Sequence, residues 1–140
     1  MSHWLLKTEP EEFSWDDLIK RGAKGEPWSG VRNHIARRNM KAIKKGERGF
    51  FYHTGKEKQI VGILEVIREA YPDPTDPTGV FVCVDVIADT PFAQPVTLAA
   101  IKADKRFKDM ILVRQSRLSV QPVTDEEWRM ICKLGGVKER

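Results

Sequence analysis

The fold is decided by residues 50–87, which read FFYHTGKEKQIVGILEVIREAYPDPTDPTGVFVCVDVI. Three segments of this stretch are rich in β-branched and aromatic residues, and they predict strands over residues 50–52, 59–68 and 80–87. Every second residue from 80 to 86 is valine, which is the two-residue period of a strand. Three prolines between residues 71 and 79 exclude a helix or a central strand there and predict an exposed loop. The middle of the chain is therefore β-rich.

Capping signals predict helices on both sides of this β-rich middle. Ser14 with Asp17, and Thr124 with Glu127, have the spacing of a capping box. We therefore expect one helix over residues 15–21 and a terminal helix that begins after Thr124 and ends before Gly135. The remaining predicted elements are a short helix over 98–103, capped by Thr97, and extended segments over 3–7, 111–113 and 117–120.

A basic amphipathic helix is predicted over residues 31–46. Val31, Ile35, Met40 and Ile43 fall on one stripe, and Gly46 closes the pattern. The opposite face is basic and carries no acidic residue, which leaves two interpretations open, a solvated helix face or a surface for a polyanion. The cations of this segment are Arg32, Arg37, Arg38, Lys41, Lys44 and Lys45.

Several short strands, some apolar on both faces and interspersed with helices, predict an α+β fold in one domain spanning residues 1–140. The expected architecture is a curled sheet or small mixed β-barrel with several α-helices packed around it. An alternation of single strands and helices, which would indicate a parallel sheet, is not what the pattern favours.

Composition bounds the function. The chain has 140 residues, is 41% hydrophobic and 31% charged, and carries a net charge of +4. Its first residues, MSHWLLK, are too polar for a secretory signal or a membrane span, so we expect an intracellular, cytoplasmic protein without membrane contact. Cys83 and Cys132 lie far apart, which predicts buried thiols and neither a disulfide nor a zinc site. Three histidines without metal-ligand spacing complete the case for no metal and no cofactor.

Catalytic motifs do not stand out. The chain contains no P-loop, no G-x-G-x-x-G, no G-x-S-x-G, no H-E-x-x-H and no zinc-deaminase signature. These omissions favour a binding module over an enzyme. One enzymatic alternative stays open at this point, in which His53 acts as a general base together with Lys7 or Arg117.

Polar residues at strand ends and at a helix start predict a binding pocket. Trp28 lies in a loop beside Gly30, where it either fills the core or forms a stacking wall. Asn33 is either a helix cap or an amide that reads a ligand. Alternation along a strand sends His53 to the opposite side from Tyr52 and Thr54. The predicted ligand-binding residues are Lys7, Thr8, Trp28, Gly30, Val31, Arg32, Asn33, Tyr52, His53, Thr54, Arg117, Leu118 and Ser119.

The same segments resemble the EVE domain family, a branch of the PUA-like superfamily related to the YTH readers of methylated RNA bases. The resemblance lies in WLLKTEP at residues 4–10, WSGVRN at 28–33, FFYHT at 50–54, VGI at 61–63 with EAYPD at 69–73, and RLSVQPV at 117–123. The blocks occur in the order of the family and cover nearly the whole chain. The departure that we identify is Thr54, where the family has serine and the hydroxyl is retained.

The resemblance implies a small β-barrel surrounded by helices, with a pocket for a modified nucleobase, above all modified cytosine in DNA. Trp28 would form the aromatic wall, and Asn33 with the backbone after Gly30 would read the edges of the base. The partner would then be DNA or RNA that carries a modified base, with the basic helix contacting its phosphates, and an unidentified protein partner stays open. We expect Trp28→Ala to abolish binding without unfolding the protein. The alternatives are a small-molecule or anion-binding protein and, less favoured, a nucleotide-modifying enzyme.

Overall fold

Six strands form one mixed sheet in the computed structural model, which describes residues 1–138. The strands are β1 (His3–Thr8), β2 (Glu26–Pro27), β3 (Arg48–His53), β4 (Gln59–Pro72), β5 (Val82–Thr97) and β6 (Val120–Val123). Their order across the sheet is β2-β5-β4-β3-β1-β6, and β1 runs parallel to β3 while every other neighbouring pair is antiparallel. The α+β prediction is confirmed, and the sheet takes the curled form. It does not close into a barrel, because β2 and β6 at the two edges do not pair within residues 1–138.

Helices cover both faces of this sheet. The α-helices found in residues 1–138 are α1 (Trp15–Arg21), α2 (His34–Ala42), α3 (Leu98–Ala103), α4 (Ile111–Arg114) and α5 (Asp125–Leu134). Both predicted capping boxes form, at Ser14 with Asp17 and at Thr124 with Glu127, and the Thr97 side chain caps α3. These helix starts were predictable because a cap is satisfied within a few residues of sequence.

Two hydrophobic cores lie on opposite sides of the sheet. Neighbouring residues of β1 and β3 alternate between them, so that Leu6 and Phe51 face the first core while Leu5 and Phe50 face the second. Helices α1 and α2 cover the first core, and α3, α4 and α5 cover the second. Trp128 stacks on Phe50 with ring centroids 4.0 Å apart. Such two-sided burial explains why these strands are apolar on both faces.

The curl of the sheet comes from irregular pairing between its two longest strands. The register of β4 against β5 shifts at four places, and such bulges bend a strand and increase its twist. Gly62 lies at one of these places, where an added Cβ would come within 2.6 Å of the Trp15 ring. The lack of a side chain at Gly62 therefore lets α1 pack directly against the sheet.

Helix α2 is shorter than predicted, and Ile35, which was predicted to face the core, is exposed. The helix begins after Asn33, whose side-chain oxygen accepts a hydrogen bond from the Ala36 N–H, and it ends at Ala42 instead of residue 46. Val31 is buried but precedes the helix, and Ile35 is 46% exposed. Starting the helix at residue 34 rotates Ile35 away from the core and places Ala36 and Met40 inward.

Near the carboxyl end, the extended segment predicted over 111–113 is wrong, and the one predicted over 117–120 is extended only from Val120. Residues 111–114 form helix α4, and residues 117–119 precede the strand, which runs over Val120–Val123 beside β1. Short apolar segments do not distinguish a helix from a strand by periodicity, so tertiary contacts decide between them. Strand β5 extends to Thr97 through Pro91 and Pro95, well beyond the predicted end at residue 87.

Cys83 and Cys132 are free and buried in separate cores, as predicted. The described residues contain no helix long and apolar enough to cross a membrane. Within residues 1–138, no three His, Cys, Asp or Glu side chains come together in a group that could hold a metal ion.

Candidate functional site

A cleft with a volume of about 850 Å³ opens where β1 and β3 end. These strands are parallel, so they finish at the same edge of the sheet, and the Thr54 N–H donates to the Thr8 carbonyl there at 2.9 Å. Residues 26–33, the segment before α1 and residues 116–119 form the other walls. The lining residues are Lys7, Thr8, Glu9, Glu12, Phe13, Arg21, Glu26, Pro27, Trp28, Ser29, Gly30, Val31, Arg32, Asn33, Thr54, Ser116, Arg117 and Ser119.

Most of the residues that the sequence assigned to a pocket line this cleft. Those brought together are Lys7, Thr8, Trp28, Gly30, Val31, Arg32, Asn33, Thr54, Arg117 and Ser119. Tyr52, His53 and Leu118 do not line it. Tyr52 is buried in the second core and Leu118 in the first. Burial raises the pKa of the Tyr52 hydroxyl, and Lys7 Nζ lies 5.5 Å from the centroid of its ring.

His53 anchors α1 instead of facing the cleft. Its Nε2 accepts a hydrogen bond from the Trp15 N–H at 3.1 Å, and its Nδ1 lies 2.9 Å from a carboxylate oxygen of Glu57. The accepting Nε2 requires the proton on Nδ1, which then donates to Glu57. This hydrogen bond lowers the pKa of the Glu57 carboxyl. Both ring nitrogens are thus occupied, and His53 is not placed to remove a proton from a molecule in the cleft.

Trp28 belongs to the core and to the cleft at the same time. Its side chain is only 6% exposed, and its ring meets Phe51 edge-on at 5.4 Å and Phe13 edge-on at 6.3 Å. Its backbone N–H donates to the Val84 carbonyl at 2.7 Å, which holds the residue against β5. Trp28 therefore lines the cleft as a rigidly held residue of which only a small part is exposed.

Residues 28–33, which we call the pocket loop, are held by Asp73. The Asp73 side chain is buried, and its Oδ2 accepts from the Gly30 N–H at 2.8 Å and from Arg32 Nη1 at 3.1 Å. Its Oδ1 accepts from the N–H and the hydroxyl of Thr75. Burial by itself raises the pKa of Asp73, but these hydrogen bonds outweigh it and hold the pKa below its ordinary value. Gly30 has φ +85°, a backbone conformation that favours glycine.

Asn33 and Arg32 differ in what they leave free for a ligand. Asn33 Oδ1 caps α2, and its Nδ2 makes no hydrogen bond within residues 1–138. Arg32 donates to Asp73 and to Thr75, and its guanidinium lies 5.5 Å from the centroid of the Phe81 ring. The charge of Arg32 is therefore already compensated within the protein, while the Asn33 amide remains a donor at the cleft.

Lys7 and Arg117 are the cations of the cleft that no carboxylate neutralises within the described part of the chain. Lys7 Nζ donates to the Ser116 carbonyl at 2.7 Å, and the Lys7 N–H donates to the Ser119 carbonyl at 2.9 Å. Burial lowers the pKa of Lys7 to about 8. Arg117 is exposed and makes no hydrogen bond or ion pair within residues 1–138. Arg21, in contrast, is paired with Glu26 at 2.8 Å.

The basic residues of the predicted helix differ in whether they already have partners within the protein. Arg32 and Arg37 bind their own chain, the latter through its Nε to the Val80 carbonyl at 2.7 Å. The other four are exposed side chains without an ion pair in residues 1–138, namely Arg38, Lys41, Lys44 and Lys45. These four are available to a polyanion.

Sequence reasoning missed Asp73 and the acidic side of the cleft, formed by Glu9, Glu12 and Glu26. A signal for Asp73 was present, because residues 73–78 repeat Asp-Pro-Thr. In each copy the aspartate accepts hydrogen bonds from the N–H and hydroxyl of the threonine two residues on, as in an Asx turn. The sequence carries no comparable signal for Phe13, Pro27 or Ser116.

Comparison with known proteins places this geometry in a family. The chain matches the family described as EVE domain over residues 2–134. Human thymocyte nuclear protein 1 is 34% identical over 165 residues, an alignment that covers 95% of this chain and 73% of that protein.

Two solved structures share the whole fold. An NMR structure of a protein from Rhodopseudomonas palustris superposes with a TM-score of 0.93 at 57% identity, covering 100% of this chain and 97% of that one. A crystal structure of the human thymocyte nuclear protein 1 in complex with 5-methylcytosine-containing DNA has a TM-score of 0.90 at 33% identity, covering 99% of each chain.

Proposed function

This chain belongs to the EVE domain family, and from that membership we propose that it is a non-catalytic module that binds a modified cytosine of DNA in the cleft. The observation that carries the proposal is the homologous human protein, which was crystallised with 5-methylcytosine-containing DNA and shares the fold over 99% of both chains. The base would leave its stack and enter the cleft, and 5-methylcytosine is the modification that we propose.

The size and the aromatic surface of the cleft support this proposal. Its volume of about 850 Å³ lies within the usual range of ligand pockets, about 300–1,000 Å³. Trp28 and Phe13 both line the cleft, and a base that stacks there would contact one of these two rings. Stacking of a base on an aromatic side chain contributes about 1–3 kcal/mol.

The polar groups of the cleft complement the edge of cytosine, which has an amine donor and two acceptors. Asn33 Nδ2 would donate to a ring acceptor, supported by the backbone N–H groups of residues 31–33, which have no acceptor within residues 1–138. A carboxylate accepts well from the exocyclic amine of cytosine. We assign that role to Glu9 or Glu12, whose side chains make no hydrogen bond or ion pair within residues 1–138.

Electrostatic attraction would supply the part of the affinity that does not depend on sequence. Lys7 and Arg117 line the cleft. The four exposed cations of the α2 region follow the pocket loop in the chain. Contacts of this kind release counterions, so the affinity should fall as the salt concentration rises.

The balance of energies predicts weak binding with modest discrimination. Everting a base costs a few kcal/mol in a duplex and less in a single strand. The methyl group of 5-methylcytosine adds about 0.8 kcal/mol when it fills an apolar niche, which is about fourfold in affinity. Stronger discrimination against unmodified cytosine would require a close steric fit between the cleft and the methylated base.

Fluorescence anisotropy of labelled single-stranded oligonucleotides tests the proposal. The strands carry one cytosine that is unmodified, 5-methylated or 5-hydroxymethylated, in DNA and in RNA, at two salt concentrations. We expect the 5-methylcytosine DNA to bind tightest. Equal binding of all strands would contradict the base-reading function, and a preference for the RNA strands would move it to RNA.

Asn33 offers a matched pair of variants. Asn33→Ser and Asn33→Asp both keep a helix cap and both remove the amide donors, so stability should change by about 0.5 kcal/mol or less. We expect both variants to lose the preference for the methylated strand. Retained preference in both, with an unchanged melting temperature, would remove Asn33 from the recognition of the base.

A further inference from the structure

A second cavity, with a volume of about 320 Å³, lies directly beside the cleft. Asn33, Ser116 and Arg117 line both cavities, so a nucleotide in the second cavity would lie next to one in the cleft. The other residues that line the second cavity are Ile35 of α2, Arg114 at the end of α4, Gln115 and Leu118.

The charge of the second cavity differs from that of the cleft. The cleft has acidic residues on its walls, whereas the lining of the second cavity contains two arginines and no carboxylate. Arg114 is held in place, since its Nε donates to the Lys108 carbonyl at 2.8 Å and its Nη2 to Asp109 at 3.0 Å. Arg117 stands at the junction without a protein partner in residues 1–138. A free guanidinium at this point matches a phosphate that joins two nucleotides.

Ile35 provides the exposed apolar side chain of the second cavity, because Leu118, which also lines it, is buried. It is 46% exposed although it lies on a helix that buries Ala36 and Met40. The Asn33 cap fixes where α2 begins, and this start turns Ile35 outward toward the second cavity. A flat base laid against Ile35 would cover that apolar surface.

We propose that the second cavity binds the nucleotide that flanks the everted base, with its base against Ile35 and the connecting phosphate at Arg117. This inference rests on the proposed function, because it extends the ligand of the cleft by one nucleotide. It predicts that the smallest strand with full affinity is longer than a single nucleotide and that one neighbour of the modified cytosine is contacted through its base.

The experiment compares trinucleotides that contain 5-methylcytosine between two thymidines with versions in which the 5′ or the 3′ neighbour is abasic. Binding is followed by chemical-shift titration of the isotopically labelled protein. We expect one abasic position, 5′ or 3′, to lower the affinity about fivefold or more, which corresponds to returning about 40 Å² of apolar surface on Ile35 and the base to water. The other abasic position should have little effect.

Two variants make the test specific to the second cavity. Ile35→Ser removes the apolar surface, and Ile19→Ser is the matched control, because Ile19 is 48% exposed on α1 and lines neither cavity. With Ile19→Ser the abasic substitution should cost as much affinity as in the wild type, and with Ile35→Ser its cost should fall to less than about twofold. Equal costs in the two variants, or no cost at either abasic position in the wild type, would overturn the inference.

A titration with the free nucleosides deoxycytidine and 5-methyldeoxycytidine separates the two proposals. The nucleosides reach the cleft but have no flanking base. Methyl-dependent binding of the nucleoside without an effect of the abasic positions refutes the second cavity and leaves the proposed function standing. If neither nucleosides nor trinucleotides distinguish the methyl group, the proposed function fails and this inference fails with it.

Discussion

Trp28 has two roles that one substitution does not separate. Because its side chain is buried against Phe51 and Phe13, we expect Trp28→Ala to destabilise the fold by about 3–5 kcal/mol, in contrast to the expectation from sequence that the fold would survive. Trp28→Phe keeps an aromatic ring with a smaller face and should lose less stability while weakening base binding. Urea unfolding followed by circular dichroism measures the first effect, and anisotropy titration measures the second.

A control separates recognition from stability in that experiment. Phe107→Ala leaves a cavity in the second core, and Phe107 does not line the cleft. This variant should therefore lower stability and leave the base preference of the folded fraction intact. An unfolding midpoint of Trp28→Ala equal to that of the wild type would show that Trp28 is dispensable for the core.

Lys7 makes stability depend on pH in the alkaline range. Burial lowers its pKa from the ordinary value of 10.5 to about 8 in the folded protein. Between pH 8 and 10.5 the unfolded chain therefore binds more protons at this group, so its contribution to stability rises with pH in that window. Below pH 8 the cost of burying the charged ammonium is present in full. We expect the free energy of unfolding of the wild type to increase relative to that of Lys7→Met as the pH rises from 7.5 to 10.5.

Lys7→Arg is the matched control for this titration, because a guanidinium keeps its charge throughout the range. The difference in free energy of unfolding between Lys7→Arg and Lys7→Met should stay constant from pH 7.5 to 10.5, whereas the difference between the wild type and Lys7→Met should change. Parallel pH profiles for the wild type and Lys7→Arg would mean that Lys7 does not lose its proton in this window.

The pocket loop and the β4–β5 loop are joined through Asp73 into one unit. Asp73→Asn replaces one acceptor oxygen by donors that face the N–H groups of the neighbouring loop, and we expect it to cost about 2–3 kcal/mol of stability. Because its pKa is lowered in the folded state, the stabilisation by Asp73 is present above the ordinary value of 3.8 and is lost as the pH falls through the lowered value. Acid unfolding of the wild type and the variant measures this difference.

Asp76→Asn is the matched control for the effect on binding. Asp76 orders the outer part of the same loop through Thr78, Val80 and Phe81, and it does not line the cleft. We expect Asp73→Asn to weaken the preference for a methylated strand and Asp76→Asn to leave it unchanged. The same loss in both variants would indicate a general effect of the loop instead of a specific hold on Gly30.

The exposed cations around α2 decide between a solvated face and a nucleic-acid surface. If Arg38 contacts a phosphate of a single strand, Arg38→Ala should lower the slope of log affinity against log salt by about 0.7 for all sequences alike. Arg106→Ala is the control, since Arg106 is already paired with Asp104 at 2.7 Å. An unchanged slope for Arg38→Ala would assign this side chain to solvated surface.

Sequence patterns predicted those elements whose determinants are local. The caps at Ser14 and Thr124 fix helix starts because their partners lie three residues away. The role of Asp73 was not predictable in this way, because its side chain binds Gly30 and Arg32, which precede it in the chain by 43 and 41 positions. Ile35 was misplaced because the helix start, and with it the inward face, depends on the cap at Asn33. Residue patterns alone predicted a pocket of polar strand ends and a helix start around Trp28, and resemblance to a family then implied a role for its members.

The molecule as a whole presents its cleft at one edge of an open sheet, where parallel strands end. The pocket loop, residues 116–119 and the ends of β1 and β3 are each fixed to the sheet by backbone hydrogen bonds. A preformed cleft of this kind needs little ordering of the protein when it binds. The main energetic cost of binding then lies in the nucleic acid, because the base must leave its stack.

This cost predicts how affinity depends on the state of the DNA. We expect 5-methylcytosine to bind tightest in a single strand or opposite an abasic site, and at least about tenfold more weakly in a fully paired duplex, because eversion from a duplex costs a few kcal/mol. Anisotropy titrations of the three substrates, each with a cytosine version as control, measure this order. Tightest binding to the paired duplex would mean that the protein makes duplex contacts that compensate for eversion, and the exposed cations around α2 would then be the first place to look for them.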